Sequence, residues 1–394
     1  MPHLRWWIAA LLFLSTVINY VDRQTLSVLA PELTKTLGLS QIEYSNILTA
    51  FLAAYTVMYV GSGFLVDRLG TRVSLALFMA WWSIANMAHA LAQGVWSLGA
   101  LRFLLGMGES GNYMAAFKVV SEWYPAKERA FVNGLIQAGG SVGAVIAVPL
   151  ITWISLEYGW RLAFVLTGAL GLVWLVFWLW IYRVPESTTA AQEQRPAISF
   201  AELFRYPQTW GLMVSRFLSD PVWWFYLFWL PKYMVEKRGF TMVEMAAITW
   251  LPYLTADIGA LFGGWLSGRM IARGREVLHA RRLCMLPFAM LMPLSMLVNH
   301  VSANAALALM SVITFAHMAW KANQSTLTND IFPKPMIGRA SGVLAFGNGL
   351  GGTLFTWATG YIVQWFGYDA IFFIMGLLHP IAFLITHRYV RKAI

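Results

Sequence analysis

Gly63-Phe64-Leu65-Val66-Asp67-Arg68-Leu69-Gly70-Thr71-Arg72 lies between two apolar runs, 45–66 and 72–92. Each run is close to the roughly 20 residues that cross a bilayer core as a helix. A short charged turn between two such runs reads as a loop joining two membrane helices. Gly63 permits close packing and Gly70 a tight turn. Asp67 can accept bonds from a neighbouring helix end or from an arginine, so the cluster could latch one side of the membrane. The plainer alternative is a loop that only sets orientation. Working outward, similar runs recur at 6–30, 96–122, 130–154, 160–182, 209–234, 243–268, 281–300, 303–330, 340–364 and 368–388. The runs are continuous rather than alternating, which predicts helices and not a barrel.

Composition agrees. The chain is 59% hydrophobic and 12% charged, where a soluble domain carries roughly a quarter charged residues. The net charge of +10 is not a nucleic-acid signature, because its residues collect on one side of the spans. Arg5, Arg68, Arg72, Lys127, Arg129, Arg183, Arg273, Arg275, Arg281, Arg282, Lys334, Arg339, Arg391 and Lys392 mark that side as cytoplasmic, with both termini on it. Twenty Trp suit interfacial belts, Trp6, Trp7, Trp96, Trp160 and Trp210 standing near expected helix ends. Cys284 is the only cysteine, so no intrachain disulfide can form. Arg5 before an apolar stretch resembles a signal peptide. The run continues through Asp22 to Leu29 without a small-residue cleavage site, so it reads as a retained first helix.

The polar exception is 185–208, with Glu186, Ser187, Thr188, Thr189, Gln192, Glu193, Gln194 and Arg195. It reads as a cytoplasmic linker between a six-helix bundle at 1–184 and another at 209–394. The two halves echo each other. Gly134, Gly139 and Gly143 recur with the same spacing as Gly342, Gly347 and Gly351, and at that same offset Pro125 matches Pro333 and Tyr158-Gly159-Trp160 matches Phe366-Gly367-Tyr368. A further echo pairs Gly63-x-x-x-Asp67-Arg68 with Gly264-x-x-x-Gly268-Arg269. Two related halves in a membrane point to a transporter with its site near the midplane, at the repeat interface. The Gly139/Gly143, Gly259/Gly263 and Gly347/Gly351 spacings allow close helix approach. They serve either ordinary packing or helices that slide across the interface between halves.

Charges inside spans are costly and mark function by default. In the first helix, Thr16, Asn19, Tyr20, Asp22, Arg23 and Ser27 share one broad face. In the fourth, Arg102 and Glu109 are two turns apart on one face, with Gly106 between them and Tyr113 one turn beyond. Two carboxylates and two guanidiniums would then face one cavity. Structural pairing of Asp22 with Arg23, Arg102 with Glu109, Lys118 with Glu122 and Arg216 with Asp220 is the competing reading of these neighbours. Asp257 could cap or pair with another helix. The seven His show no metal-ligand spacing.

The loop at 63–72 resembles the G-x-x-x-D-R-x-G-R-R signature of the major facilitator superfamily, with Thr71 in place of one basic residue. Gly63, Asp67, Arg68, Gly70 and Arg72 would form its cytoplasmic gate. Gly108-Glu109-Ser110-Gly111-Asn112 and Lys118-x-x-Ser121-Glu122-Trp123-Tyr124-Pro125-Ala126-Lys127-Glu128-Arg129-Ala130 resemble the anion:cation symporter family within it. Pro221-Val222-Trp223-Trp224-Phe225-Tyr226-Leu227-Phe228-Trp229-Leu230-Pro231-Lys232-Tyr233 is similar to bacterial sugar-acid carriers of the hexuronate branch. The resemblance covers essentially the whole chain. It implies an all-α major facilitator fold of 12 transmembrane helices in two pseudo-symmetric bundles, in a bacterial inner membrane. It further implies proton-coupled uptake of a hexuronate such as glucuronate or galacturonate, with galactonate, sialate or an aromatic acid as alternatives. Asp22 and Glu109 would carry protons. Arg23 and Arg102 would serve the anion, Tyr20, Tyr55 and Gln137 would line the pocket, and Trp320 and Asn348 match binding positions of the second half. Lys321, beside Trp320, departs from the small residue the pattern carries there, and His317 is a second position without a match.

Electrostatics supplies a mechanism. An ionised carboxylate holds its arginine as a pair, and protonation frees the planar guanidinium for a substrate carboxylate. Protons are the coupling ion, and no other cofactor is expected. There is no Gly-rich phosphate loop ending in Lys-Ser/Thr for an ATP-driven pump. The fifth helix also lacks the G-x-x-x-G-P-x-x-G-G pattern of drug exporters: after Gly139, Gly140 and Gly143 the first proline is Pro149. Buried charges in a two-half repeat argue against a non-transporting sensor, and no nucleophile or metal set points to an enzyme. The expected partners are a small organic anion and lipid, with no nucleic acid, and a monomer would suffice.

Overall fold

An apolar run can lie in a bilayer only if it closes its backbone hydrogen bonds within itself. The computed structural model describes residues 2–184, 200–333, 336–392 and 394. Every expected span in it is helical. Helix α1 is Pro2–Val28 and the short α2 is Ala30–Leu37. The second and third spans form one element, α3 (Gln41–Ala88), broken at Gly70, where φ is 75°. The fourth span divides at Ser110 into α4 (Val95–Glu109) and α5 (Gly111–Trp123), followed by α6 (Ala126–Tyr158) and α7 (Trp160–Ile181). After the short α8 (Phe200–Leu203), the seventh span divides at Asp220 into α9 (Pro207–Ser219) and α10 (Pro221–Glu236). The eighth is α11 (Met242–Ile248) with α12 (Leu251–Ala272). The ninth is α13 (Val277–Leu291), continued as a 3-10 helix to His300. Helix α14 (Ala303–Ile331) is the tenth, and α15 (Ile337–Tyr389) holds the last two, broken at Gly367. Residues 185–199 of the expected linker and Lys334 lie outside the described residues.

The chain divides into two compact units, Met1–Glu193 with Phe228–Trp250 and Gln194–Leu227 with Leu251–Ile394. The sequence reading placed all of 209–394 in one bundle, whereas Phe228–Trp250 groups with the first unit. The contacts give the reason. The Tyr44 hydroxyl donates to the Phe228 carbonyl at 2.7 Å, the Tyr44 and Trp229 rings meet edge to face, and Lys232 Nζ donates to Thr34 Oγ1 at 2.9 Å.

The repeat extends to helix ends that the sequence reading passed over. Gly38 and Gly239, both at positive φ, each precede a capping box, Ser40 with Glu43 and Thr241 with Glu244. Each hydroxyl accepts from the third backbone N–H of the following helix, and each glutamate accepts from the cap residue's N–H, satisfying two donors that a helix start leaves open. Gly159 and Gly367, at φ 83° and 75°, make the matching turns after Tyr158 and Phe366. Only glycine enters that left-handed region without steric cost.

The glycine pairs pack inside each unit. A Cβ on Gly139 or Gly143 would lie 2.6 Å from the Phe13 or Val17 carbonyl oxygen of α1. A Cβ on Gly351 would lie 2.3 Å from the Phe217 oxygen of α9, and one on Gly259 or Gly263 would lie 2.1 or 2.4 Å from the Phe315 or Ala319 oxygen of α14. Ordinary close packing accounts for all three pairs. Trp6, Trp7, Trp96 and Trp210 are exposed, as belt residues should be, but Trp160 is buried, its ring edge to face with Phe164.

Candidate functional site

In the first unit, α1 presents its polar face to α3, α4, α5 and α7. Thr16, Asn19, Asp22, Arg23 and Ser27 are all buried. Asn112 ties this face to α5, accepting from Ser15 at 3.0 Å and donating to Thr16 at 3.2 Å. Arg23 reaches Glu109 at the end of α4. Its Nε and Nη2 both meet the same oxygen, Oε2, at 2.9 and 2.8 Å. Glu109 Oε1 is buried with no hydrogen-bond partner. Arg23 also donates to Asn19 Oδ1 at 3.1 Å, and its guanidinium lies over the Tyr20, Tyr55 and Phe51 rings at 4.8, 5.0 and 5.4 Å. Arg102 donates from Nη1 to the Arg23 carbonyl at 3.4 Å, while its Nε and Nη2 are buried without acceptors.

The pairing differs from both structural alternatives read from sequence. Asp22 does not pair with Arg23, nor Arg102 with Glu109. Adjacent helical residues point about 100° apart, so Arg23 turns to α4 while Asp22 turns to α3 and α7. Asp22 Oδ1 accepts from Asn86 Nδ2 at 2.7 Å, and Asn86 also donates to Thr167 at 2.9 Å. Asp22 and Arg102 form no ion pair among the described residues. Asn86 and Thr167 were missed by sequence reasoning. A lone asparagine in the apolar run 72–92 was the available signal. Gln137 does not join the cluster: it is exposed, and its amide donates to the Asn133 carbonyl at 3.5 Å.

In the loop, Asp67 pairs with Lys118 at 2.6 Å. Lys118 therefore does not pair with Glu122, which instead accepts from Thr71 at 2.8 Å and from the Tyr182 hydroxyl at 3.1 Å. Thr71, the departure from the signature, thus supplies a hydroxyl. Arg72 donates to the Leu179 carbonyl at 2.7 Å and Arg68 is exposed.

The second unit has its own buried charges, at the break between α9 and α10. Asp220 pairs with Lys321 of α14 and accepts from Ser219 at 3.4 Å. The Arg216–Asp220 pair expected from spacing does not form. Arg216 Nη2 donates to Thr328 at 2.9 Å, and its Nε is buried without a partner. Gln324 donates to Ser215 and Ser219 at 2.9 and 3.1 Å. His317 Nδ1 and His379 Nε2 are 3.0 Å apart, with Trp223 stacked on His317 and the Trp320 ring 5.4 Å from His379. Trp320 is buried, and Asn348 accepts from Trp224 at 3.4 Å. His379 was not singled out from sequence, because its partner lies 62 residues away. Among the described residues no three His, Cys, Asp or Glu side chains converge as a metal site.

Known proteins bear on this geometry. The curated Hexuronate transporter of Escherichia coli K12 is 32% identical over 403 residues, 97% of this chain and 93% of that protein. The Galacturonate transporter of Dickeya chrysanthemi is 35% identical over 280 residues, 67% of this chain and 81% of that protein. Among solved structures, a bacterial homologue of the lysosomal transporter Spinster superposes with a TM-score of 0.81 at 19% identity, covering 98% of this chain and 97% of that one. The D-xylose-proton symporter superposes at 0.79 and 18% identity, covering 98% of each. These structural likenesses concern the fold. Residues 12–356 match the family described as Major Facilitator Superfamily. With that match over most of its length, and with helical spans throughout, this chain belongs to the Major Facilitator Superfamily as a multi-pass protein of the bacterial inner membrane.

Proposed function

We propose that this protein is a proton-coupled symporter that takes up a hexuronate. The sugar-acid substrate class is supported by the hexuronate and galacturonate transporters it resembles over most of their length. The observation that carries the coupling is the one-oxygen pairing of Arg23 with Glu109, which leaves Oε1 of a fully buried carboxylate open.

Oε1 is the atom that takes the proton. Once Glu109 is neutral, the attraction between opposite charges is gone and Arg23 is held only by hydrogen bonds from its still-charged guanidinium to a neutral acid. The Arg23 fork then serves a substrate carboxylate, with the unsatisfied Nε and Nη2 of Arg102 as further donors. Tyr20 and Tyr55 flank the guanidinium and hold its plane. Asp22, hydrogen-bonded to Asn86 and without an ion pair among the described residues, is the second proton carrier. Two protons with one monoanion carry one net positive charge, so inward movement gains about 2.3 kcal/mol per 100 mV of membrane potential. The resemblance to sugar-acid carriers supports Trp320 and Asn348 of the second unit as further substrate-binding residues.

The test is uptake of labelled glucuronate and galacturonate into proteoliposomes, with and without an inward pH gradient, beside Glu109→Gln and Arg102→Ala. Gradient-driven accumulation lost in both variants supports the assignment. Accumulation by the wild type that ignores the gradient refutes proton coupling. Binding without accumulation refutes transport of these acids.

A further inference from the structure

The end of α15 and the residues after it carry Arg388, Arg391 and Lys392 in quick succession. Cations at the cytoplasmic end of a span set its orientation, and uptake of a sugar acid uses none of them. Within the second unit they stand against the start of α9. Gln208 donates to the Lys392 carbonyl at 3.3 Å and Thr386 donates to Ser215 at 2.9 Å, which pins the two helices together. Gly211 lets them close up, since a Cβ there would lie 2.5 Å from the Tyr389 Cβ.

Two adjoining cavities lie along this seam and share Pro207 and Tyr389. One, of about 470 Å³, reaches further into the spans and is walled by Trp210, Val214, Ile385 and Tyr389. The other, of about 710 Å³, is lined by Arg388, Arg391 and Lys392. Trp210 and Tyr389 are 47% and 48% exposed. Arg205 lines the apolar cavity and is exposed, as are the three cations of the basic one. Among the described residues no Asp or Glu lines either cavity, and none of the four cations forms an ion pair. Even an α-carboxylate at Ile394, which lines the basic cavity, leaves cations in excess. The first unit repeats the apolar part. Trp7 of α1 with Phe177 and Trp180 of α7 wall a cavity of about 690 Å³, and Arg183 is the cation lining it. The groove thus belongs to both halves, and the cluster of cations beside it to the second.

An apolar groove that opens into a basic pocket at the membrane boundary matches the anatomy of a phospholipid. Acyl chains cover aromatic and branched walls, and a phosphate takes charge-assisted bonds from Arg and Lys. The cytoplasmic leaflet is anionic, and basic pockets between helices on that side hold lipid headgroups. A sugar acid does not suit the pair, because its hydroxyls would lose water against Trp210, Val214 and Ile385 without gaining partners. We infer that α9 and α15 form a binding site for an anionic phospholipid of the cytoplasmic leaflet, its phosphate on Arg388, Arg391 and Lys392 and an acyl chain against Trp210, Val214 and Ile385. Each Lys or Arg near an anionic lipid contributes about fivefold in affinity, so the three together contribute roughly a hundredfold.

The experiment titrates the full-length protein in detergent with phosphatidylglycerol and phosphatidylethanolamine of identical acyl chains and counts bound lipid by native mass spectrometry. The wild type should bind phosphatidylglycerol at least about tenfold more tightly. Arg391→Gln should weaken phosphatidylglycerol about fivefold and leave phosphatidylethanolamine unchanged. The triple variant R388Q/R391Q/K392Q should erase the preference, and Arg183→Gln in the first unit should keep it. Equal affinity for the two lipids in the wild type overturns the site whether or not the triple variant folds. A triple variant that keeps the preference, or an Arg183→Gln protein that loses it, puts the lipid elsewhere and overturns the site as well. Glycerol phosphate, which has no acyl chains, binding as tightly as phosphatidylglycerol would mark a pocket for free anions and overturn the lipid.

Discussion

The two buried charge clusters are built from similar parts and balanced differently. In the first unit, Arg23 and Glu109 are both almost completely buried, and Asp22 and Arg102 stand near them without ion partners of their own among the described residues. In the second unit the carboxylate Asp220 is 3% exposed, but its partner Lys321 is 26% exposed, and Arg216 turns to Thr328. A sealed pair has large consequences when one partner is lost, because no water replaces it. A pair with one end open to water costs less to break. The comparison teaches that burial, more than the number of charges, sets how strongly each cluster is tied to stability.

Breaking the sealed pair should have the largest effect. Arg23→Ala leaves Glu109 as an unpaired buried charge, at a cost of about 3–5 kcal/mol. The melting temperature in detergent should fall sharply and uptake should vanish. Adding Glu109→Gln to that variant should restore much of the stability and none of the uptake. If Arg23→Ala melts like the wild type, the cross-helix pair is not formed in solution.

Asp220→Asn removes the one carboxylate of the second cluster. Lys321 keeps 26% of its side-chain surface accessible, so the expected loss is about 2 kcal/mol, smaller than for Arg23→Ala. Equal losses at the two sites would contradict the difference in burial.

The helix starts sharpen the contrast between charges in the membrane and charges at its edge. Ser40→Ala should cost about 1 kcal/mol. The Ser40 backbone N–H and hydroxyl hold the Glu43 carboxyl below its ordinary value of 4.5. A lowered folded-state value means this stabilisation is complete above 4.5 and is lost as pH falls through the folded value. The difference between the melting curves of wild type and Ser40→Ala should therefore be full at neutral pH and narrow as pH falls through the lowered folded-state value.

Asp22→Asn should have the smallest effect on stability, under about 1 kcal/mol, since the amide is isosteric and no ion pair is broken. Its functional effect should be selective: exchange of substrate across the membrane persists, while accumulation driven by a pH gradient is lost. Counterflow and gradient-driven uptake measured on the same vesicles separate the two. Loss of both would place Asp22 in substrate binding.

Most of the fold was legible because the bilayer imposes one rule on every span. Apolar length gave the helices, and Gly70 marked a turn that the structure makes at positive φ. The polar face of α1 could be read for the same reason, since 100° per residue puts Asn19, Asp22 and Arg23 together. Less legible were the partners. Spacing along one helix suggested Lys118 with Glu122 and Arg216 with Asp220, yet each of these cations reaches a residue from another part of the chain. Long Lys and Arg side chains choose the nearest acceptor in space. In a packed bundle that acceptor is often on a neighbouring helix.

The sequence alone therefore determined the membrane class, the two-fold repeat and the set of buried charges, because each of these follows from local composition and period. Only the tertiary structure decided that Glu109 belongs to Arg23 and not to Arg102, that Asp22 is left to Asn86, and that Lys321 rather than Arg216 takes Asp220. Those choices depend on which helix faces lie within hydrogen-bond reach, and close packing through residues such as Gly106, Gly143 and Gly351 sets that distance.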